Sequence, residues 1–164
     1  MVLLACISVY SAEMPKGFGG VLFGQTLSDI KNQYDSTLLY IGDEEYRFEP
    51  TEKFLQFEDY YFVLTPVSKK VFKIVMRVRF KDAKVAREYR DTVINTLATH
   101  YGSFTYVGRG SVYLQKDKIC VYCFYLSLLT GEAIVDLTLE DESMSFKREV
   151  FQGGKLNGFE TGEK

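Results

Sequence analysis

Cys120 and Cys123, with Val121 and Tyr122 between them, stand at the spacing that redox pairs and zinc sites use. Such sites hold the pair at a turn or helix start, where both sulfurs converge. Residues 119–129 read instead as a strand, in which a separation of three sends the thiols to opposite faces, about 10 Å apart. Both are expected to be small apolar fillers, although an exposed Cys123 could bridge two subunits in an oxidising compartment. Residues 19–26 (GGVLFGQT) match the spacing of a phosphate-binding loop, but Gln25 occupies the position of the phosphate-binding lysine. A glycine turn leading into a capped helix accounts for every residue there.

His100 is the single histidine, so any Ser-His-Asp or Cys-His mechanism would have to use it. Its place in the last turn of a helix suits a cation better than a reaction centre. Glu140, Asp141 and Glu142 are acidic neighbours without the alternating ligands and central glycine of a calcium loop. Tyr40, Tyr46, Tyr60 and Tyr61 could make a sugar or peptide platform, although in strands such residues usually pack across neighbours. No residue is assigned a catalytic, cofactor-binding or metal-binding role.

The elements that must position these groups are organised around residues 71–102. Phe72, Ile74, Met76, Val78 and Phe80 alternate with Lys73, Arg77 and Arg79, the pattern of a half-buried strand. Asp82 is a helix N-cap, and Val85, Ala86, Tyr89, Val93, Leu97 and Tyr101 recur as one apolar stripe that ends at Gly102. Lys84 with Glu88, and Arg87 with Asp91, are spaced for pairs along the helix. Thr26 and Asp29 make a capping box for a shorter helix that buries Leu27, Ile30 and Tyr34 and ends near Asp35. Short strands are expected at residues 38–41, 46–48, 54–57 and 60–64, and after the long helix at 104–107, 112–115, 119–129 and 133–140. The fold class is α+β: antiparallel sheet packed by a short N-terminal helix and one long central helix, in the rough order α-β4-α-β4.

A two-residue turn at Thr130 and Gly131 would pair Leu126 with Val135, Phe124 with Leu137 and Tyr122 with Leu139 as core. That register turns Ile119, Val121 and Tyr125 to the other face of the sheet, which is then more apolar than a wet surface normally is. These three residues are the expected binding residues.

Of the 164 residues, 46% are hydrophobic and 26% charged, enough for one domain with a real core. A net charge of -2 gives no electrostatic reason for nucleic acid as a partner. Residues 1–12 (MVLLACISVYSA) carry no charge and end in small residues, like the apolar part and cleavage site of a secretory signal, though without its positive start. The alternative is a buried N-terminal strand. Leu3, Leu4, Ala5 and Cys6 resemble a bacterial lipid-attachment box, and the protein would be membrane-anchored only if Cys6 were lipidated. Residues 13–142 are expected to form the single domain, and 143–164 a polar, flexible tail.

Phe23, Gly24, Thr26 and Ile30, opening a short helix, resemble the Phe-Gly-x-Thr entry of the β-lactamase inhibitor protein fold and of small bacterial envelope lipoproteins built similarly. The long helix lacks that entry, and neither half has its own cysteine pair. The resemblance implies a non-enzymatic domain that binds another protein with a sheet face. The expected function is therefore an exported (periplasmic, secreted or envelope-associated) module contacting a protein or envelope component. A small-ligand carrier or hydrolase with a pocket between helix and sheet is the alternative, and homo-oligomers are possible.

Overall fold

A computed structural model describes residues 12–34, 37–108 and 110–144. A small ribbon of β1 (Gly17–Phe18) and β2 (Val21–Leu22) precedes α1 (Leu27–Tyr34). Then come β3 (Leu39–Gly42), β4 (Glu45–Arg47), β5 (Asp59–Leu64) and β6 (Val71–Phe80). After them follow α2 (Ala83–Tyr101), β7 (Thr105–Gly108), β8 (Ser111–Lys116), β9 (Ile119–Ser127), β10 (Ala133–Asp141) and a 3-10 turn (Glu142–Met144). The fold is α+β, and β3 to β10 form one eight-stranded sheet in the order β3-β4-β5-β6-β10-β9-β8-β7. Every neighbouring pair is antiparallel. The last strands of the two runs, β6 and β10, meet at the centre, and the first strands, β3 and β7, form the edges.

Both helices form where their caps and stripes dictate. At α1 the Thr26 backbone N–H and hydroxyl both donate to Asp29 Oδ2 (2.8 and 2.7 Å), and the Asp29 N–H returns a bond to Thr26 Oγ1. At α2 the Asp82 carboxylate accepts from the amides of Lys84 and Val85. Gly102 ends the helix at φ +109, with its N–H bonded to the Ala98 carbonyl. Ala86, Val93 and Leu97 are buried, but Val85 is 48% exposed and leaves the expected stripe. Lys84 pairs with Glu88 at 3.9 Å. Asp91 pairs with Arg90 rather than Arg87, which lies over the Tyr125 ring instead.

The core lies between the helices and one face of the sheet. Ile74, Met76, Val78, Leu137, Leu139 and Val135 occupy its centre under α2, and Tyr60, Phe62 and Phe48 sit toward α1. An aromatic run, Tyr40–Tyr46–Phe62–Phe48–Tyr60–Phe18, crosses that half with successive ring centroids 5.1 to 6.2 Å apart. Residues 54–57 do not pair as a strand. Leu55 takes φ +50 and the segment loops over the core, placing Phe54 and Phe57 against one another and the Phe57 ring against Tyr89 of α2.

The β9–β10 register is the main departure from expectation. Leu128 N–H donates to the Glu132 carbonyl, so the loop is Leu129, Thr130 and Gly131, three residues rather than two, with Gly131 at φ +86. That is the geometry of a three-residue hairpin loop, in which the glycine takes the left-handed position. One extra loop residue turns every side chain of β9 over. Tyr125 now pairs with Val135, Cys123 with Leu137 and Val121 with Leu139 on the helix side, while Phe124 pairs with Asp136 and Tyr122 with Thr138 on the other.

Candidate functional site

The face of the sheet opposite the helices carries the most distinctive arrangement of side chains. Three cross-strand rows run over it. The central row is Arg47, Tyr61, Val75, Thr138, Tyr122 and Tyr113. On one side lie Asp59, Arg77, Asp136 and Phe124, and on the other Val63, Lys73, Glu140, Cys120 and Gln115. Leu126, beyond Phe124, is 52% exposed.

Three ion pairs cross this face. Arg77 grips Asp136 with two bonds, Nε to Oδ1 at 2.8 Å and Nη2 to Oδ2 at 2.6 Å, and Asp136 is buried beneath it. The hydrogen bond to Asp136 holds the Arg77 guanidinium well above its ordinary pKa. Arg47 bonds Asp59 at 2.6 Å and Lys73 bonds Glu140 at 3.1 Å. The Arg77 guanidinium also lies 5.6 Å from the Tyr61 ring centroid, and the Tyr113 and Tyr122 rings stack 6.1 Å apart. The ion pairs number three, and Glu142 accepts from Gln115 on the same face at 2.9 Å. What remains for a partner is aromatic and aliphatic: Tyr61, Tyr113, Tyr122, Phe124 and Leu126.

The three residues expected to bind lie on the helix side. Val121 is 1% exposed and fills the core, while Ile119 and Tyr125 are half-buried there. Tyr125 is held by Arg87 and Arg90, whose guanidinium carbons stand 5.5 and 5.9 Å from its ring. The structure therefore exchanges them for Tyr122, Phe124 and Leu126, which the shorter loop would have made core. One signal in the chain favours the observed register: the glycine at the third loop position. Of the four tyrosines weighed as a platform, Tyr60 is fully buried, Tyr46 packs in the aromatic run, Tyr40 is on an edge strand, and Tyr61 reaches the open face.

The two thiols lie on opposite faces, as strand geometry requires. Cys123 is wholly buried in the core, which rules out the subunit bridge an exposed thiol would allow, and burial pushes it up to about 12. Cys120 sits beneath the 3-10 turn, and burial, with a hydrogen bond to Glu142, pushes it up to about 11. Neither is a nucleophile at neutral pH. Gln25 uses its side chain to accept from the Leu22 amide and its carbonyl to accept from Val71, so the glycine-rich segment is stitched to β6. His100 is exposed in the last turn of α2, beside Tyr101. Among the described residues no group of His, Cys, Asp or Glu is placed to hold a metal ion.

Three concavities bear on a ligand-binding alternative, one of them a cleft of about 540 Å³ lined by Tyr40, Asp43, Glu44, Val63 and Phe72 among others. An apolar cavity of about 90 Å³ between α2 and the sheet is lined by Phe18, Met76, Leu97, Val121 and Leu137 among others, without a carboxylate. Ligand sites usually measure about 300 to 1,000 Å³, so it is too small for most substrates. A cleft of about 510 Å³ at the β8–β9 turn is large enough, and Ile119 lines it together with three lysines (16, 116, 118) and three carboxylates (13, 117, 141). No helix among the described residues is long and apolar enough to cross a membrane. The signal-like segment and Cys6 lie outside the described residues, as does the tail from residue 145. No family model, curated protein or solved structure matches the chain.

Proposed function

We propose that this chain is an exported, non-enzymatic module that binds a protein, a component of the cell envelope, through the open face of its sheet. We read it as two α-β4 halves whose sheets join at β6 and β10. The observation that carries the reading is the face itself. Tyr61, Tyr113, Tyr122, Phe124 and Leu126 are presented beside ion pairs that neutralise one another, and aromatic and arginine side chains are the residues that dominate protein interfaces. Self-neutralised charge disfavours a polyanion and favours a partner surface that is itself largely uncharged. The uncharged segment 1–12 supports export, and the likeness of the Phe23–Ile30 entry to the β-lactamase inhibitor fold supports the use of a sheet face.

The test is capture and titration. The immobilised domain is exposed to envelope extract alongside a Tyr122→Glu, Phe124→Glu variant, and any protein retained by the first alone is purified and titrated calorimetrically. An aromatic anchor of this kind contributes about 2 kcal/mol, so Tyr122→Ala should weaken binding by roughly 30-fold. Binding that survives the double glutamate variant at full strength refutes the use of this face.

A further inference from the structure

Ala12, the first of the described residues, is held through both of its backbone polar groups. Its N–H donates to the carbonyl of His100, in the last turn of α2, at 2.9 Å, and its own carbonyl accepts from Lys116 Nζ of β8 at 2.8 Å. The last four carbonyls of a helix have no partner within it and together carry a partial negative charge, which favours a cation set against them. An amide brings only its dipole to that position. Ala12 is exposed, so a protonated amine at its nitrogen would give one N–H to His100 and keep the others in water.

The residues just before Ala12 have the composition of a leader that is removed. Leader cleavage sites carry small side chains at the last and third-last residues of the part cut away. For a cut after Ser11 these are Ser11 and the compact Val9; for a cut after Ala12 they are Ala12 and Tyr10, whose ring is too large for that pattern. A cut after Ala12 would also remove both of the bonds that Ala12 makes. A lipoprotein cut before Cys6 would leave residues 6–11 ahead of Ala12 and keep its nitrogen an amide.

We infer that the bond between Ser11 and Ala12 is a processing site, and that the amino group released there docks on the C-terminal end of α2. Water adds across the peptide bond under a leader peptidase of the export machinery. Ser11 departs with the leader as a carboxylate, and the Ala12 nitrogen takes up a proton to become an α-ammonium. Its bond to the His100 carbonyl is then charge-assisted. The cleft lined by Glu13 and Lys116 holds three lysines and three carboxylates, so the new charge meets no excess of either sign. Cys6 leaves with the leader, and the mature protein is released rather than lipid-anchored. The inference rests on the export reading above and does not depend on the open face.

The experiment is intact mass and N-terminal sequencing of the full chain, and of its Cys6→Ala variant, after expression in an export-competent bacterial host. Both should begin at Ala12, with Glu13, Met14 and Pro15 following, and both should enter the aqueous phase of a detergent partition. A first residue at any other position after Met1, a lipid-bearing Cys6 included, overturns the inference and leaves export standing. An uncut chain that begins at Met1 overturns both. Docking of the amine is read from thermal melts of the processed protein and of the same protein acetylated at that amine, which keeps the N–H and loses the charge. At pH 6 and low salt the free amine should melt higher by about 1 to 4 °C. Equal melting temperatures overturn the docking.

Discussion

Asp136 is the residue on which the open face depends. It is 3% exposed on a surface that no described helix covers, because Arg77 closes over it and Phe124 stands beside it. Burying a carboxylate is tolerable only while the guanidinium supplies both bonds, so removing one partner costs more than the pair contributes. Asp136→Asn should lower unfolding free energy by up to about 3 kcal/mol, the lower part of the range for broken buried pairs, because Arg77 keeps contact with water. Replacing both, as Arg77→Met with Asp136→Leu, should come within about 1 kcal/mol of wild type by urea denaturation. If the double variant is as unstable as the single one, packing rather than charge is what Asp136 provides. The Arg77 guanidinium also fixes Tyr61, so the double variant should bind the partner less well even where stability is restored.

At the scale of elements, the caps show how acid acts on this fold. The backbone amides of Val85 and Lys84 hold the Asp82 carboxyl below its ordinary value of 3.8, and Thr26 does the same for Asp29. A depressed pKa in the folded state means stability that is present above the unfolded value and lost as pH falls through the folded one. Asp82→Asn keeps an acceptor at the N-cap without a proton to gain. In thermal melts between about pH 5 and pH 2 the wild type should lose melting temperature faster than the variant, and parallel curves would show that the cap makes no titrating contribution.

The helices were legible in the chain because a cap and a stripe are local signals: Asp82, Thr26 and Asp29 act where the sequence places them. Strands β5 to β10 were legible by alternation, whereas residues 54–57 (FLQF) are apolar without strict alternation and loop instead, with Phe57 packed on Tyr89 of the distant α2. The β9 register was not legible from alternation, because Ile119, Val121, Cys123 and Tyr125 are as apolar as Tyr122, Phe124 and Leu126. Only the loop decides, and Gly131 decides the loop. Gly131→Val, forcing a branched side chain to φ +86, should cost about 1 to 2 kcal/mol, read from the urea midpoint of the variant. A neutral result would mean that pairing with Asp136, Val135 and Leu137 sets the register without help from the loop.

For the whole molecule, the same burial that makes the core makes alkali its weak side. Burial is the leading cause of the raised values at Cys123 and Tyr89, both pushed up to about 12, at Cys120, pushed up to about 11, and at Tyr122 and Tyr60. Ionising each of these groups costs the fold stability. Raised values in the folded state mean that the stabilisation is complete below the ordinary thiol value of 9.0 and is lost as pH rises through the folded values, here over about pH 9 to 12. The urea midpoint should therefore fall steadily above pH 9, and Cys123→Ala should flatten part of that fall while leaving a small cavity. Thiol reagents should label neither Cys120 nor Cys123 in the folded protein at pH 8, and both should react at the rate of unfolding. Much of the tyrosinate absorbance should rise in the same transition as the loss of structure, because burial raises Tyr60 and Tyr89 in the folded state. Rapid labelling of Cys123 at pH 8 without unfolding would mean that the helix layer opens over the sheet far more readily than its packing implies.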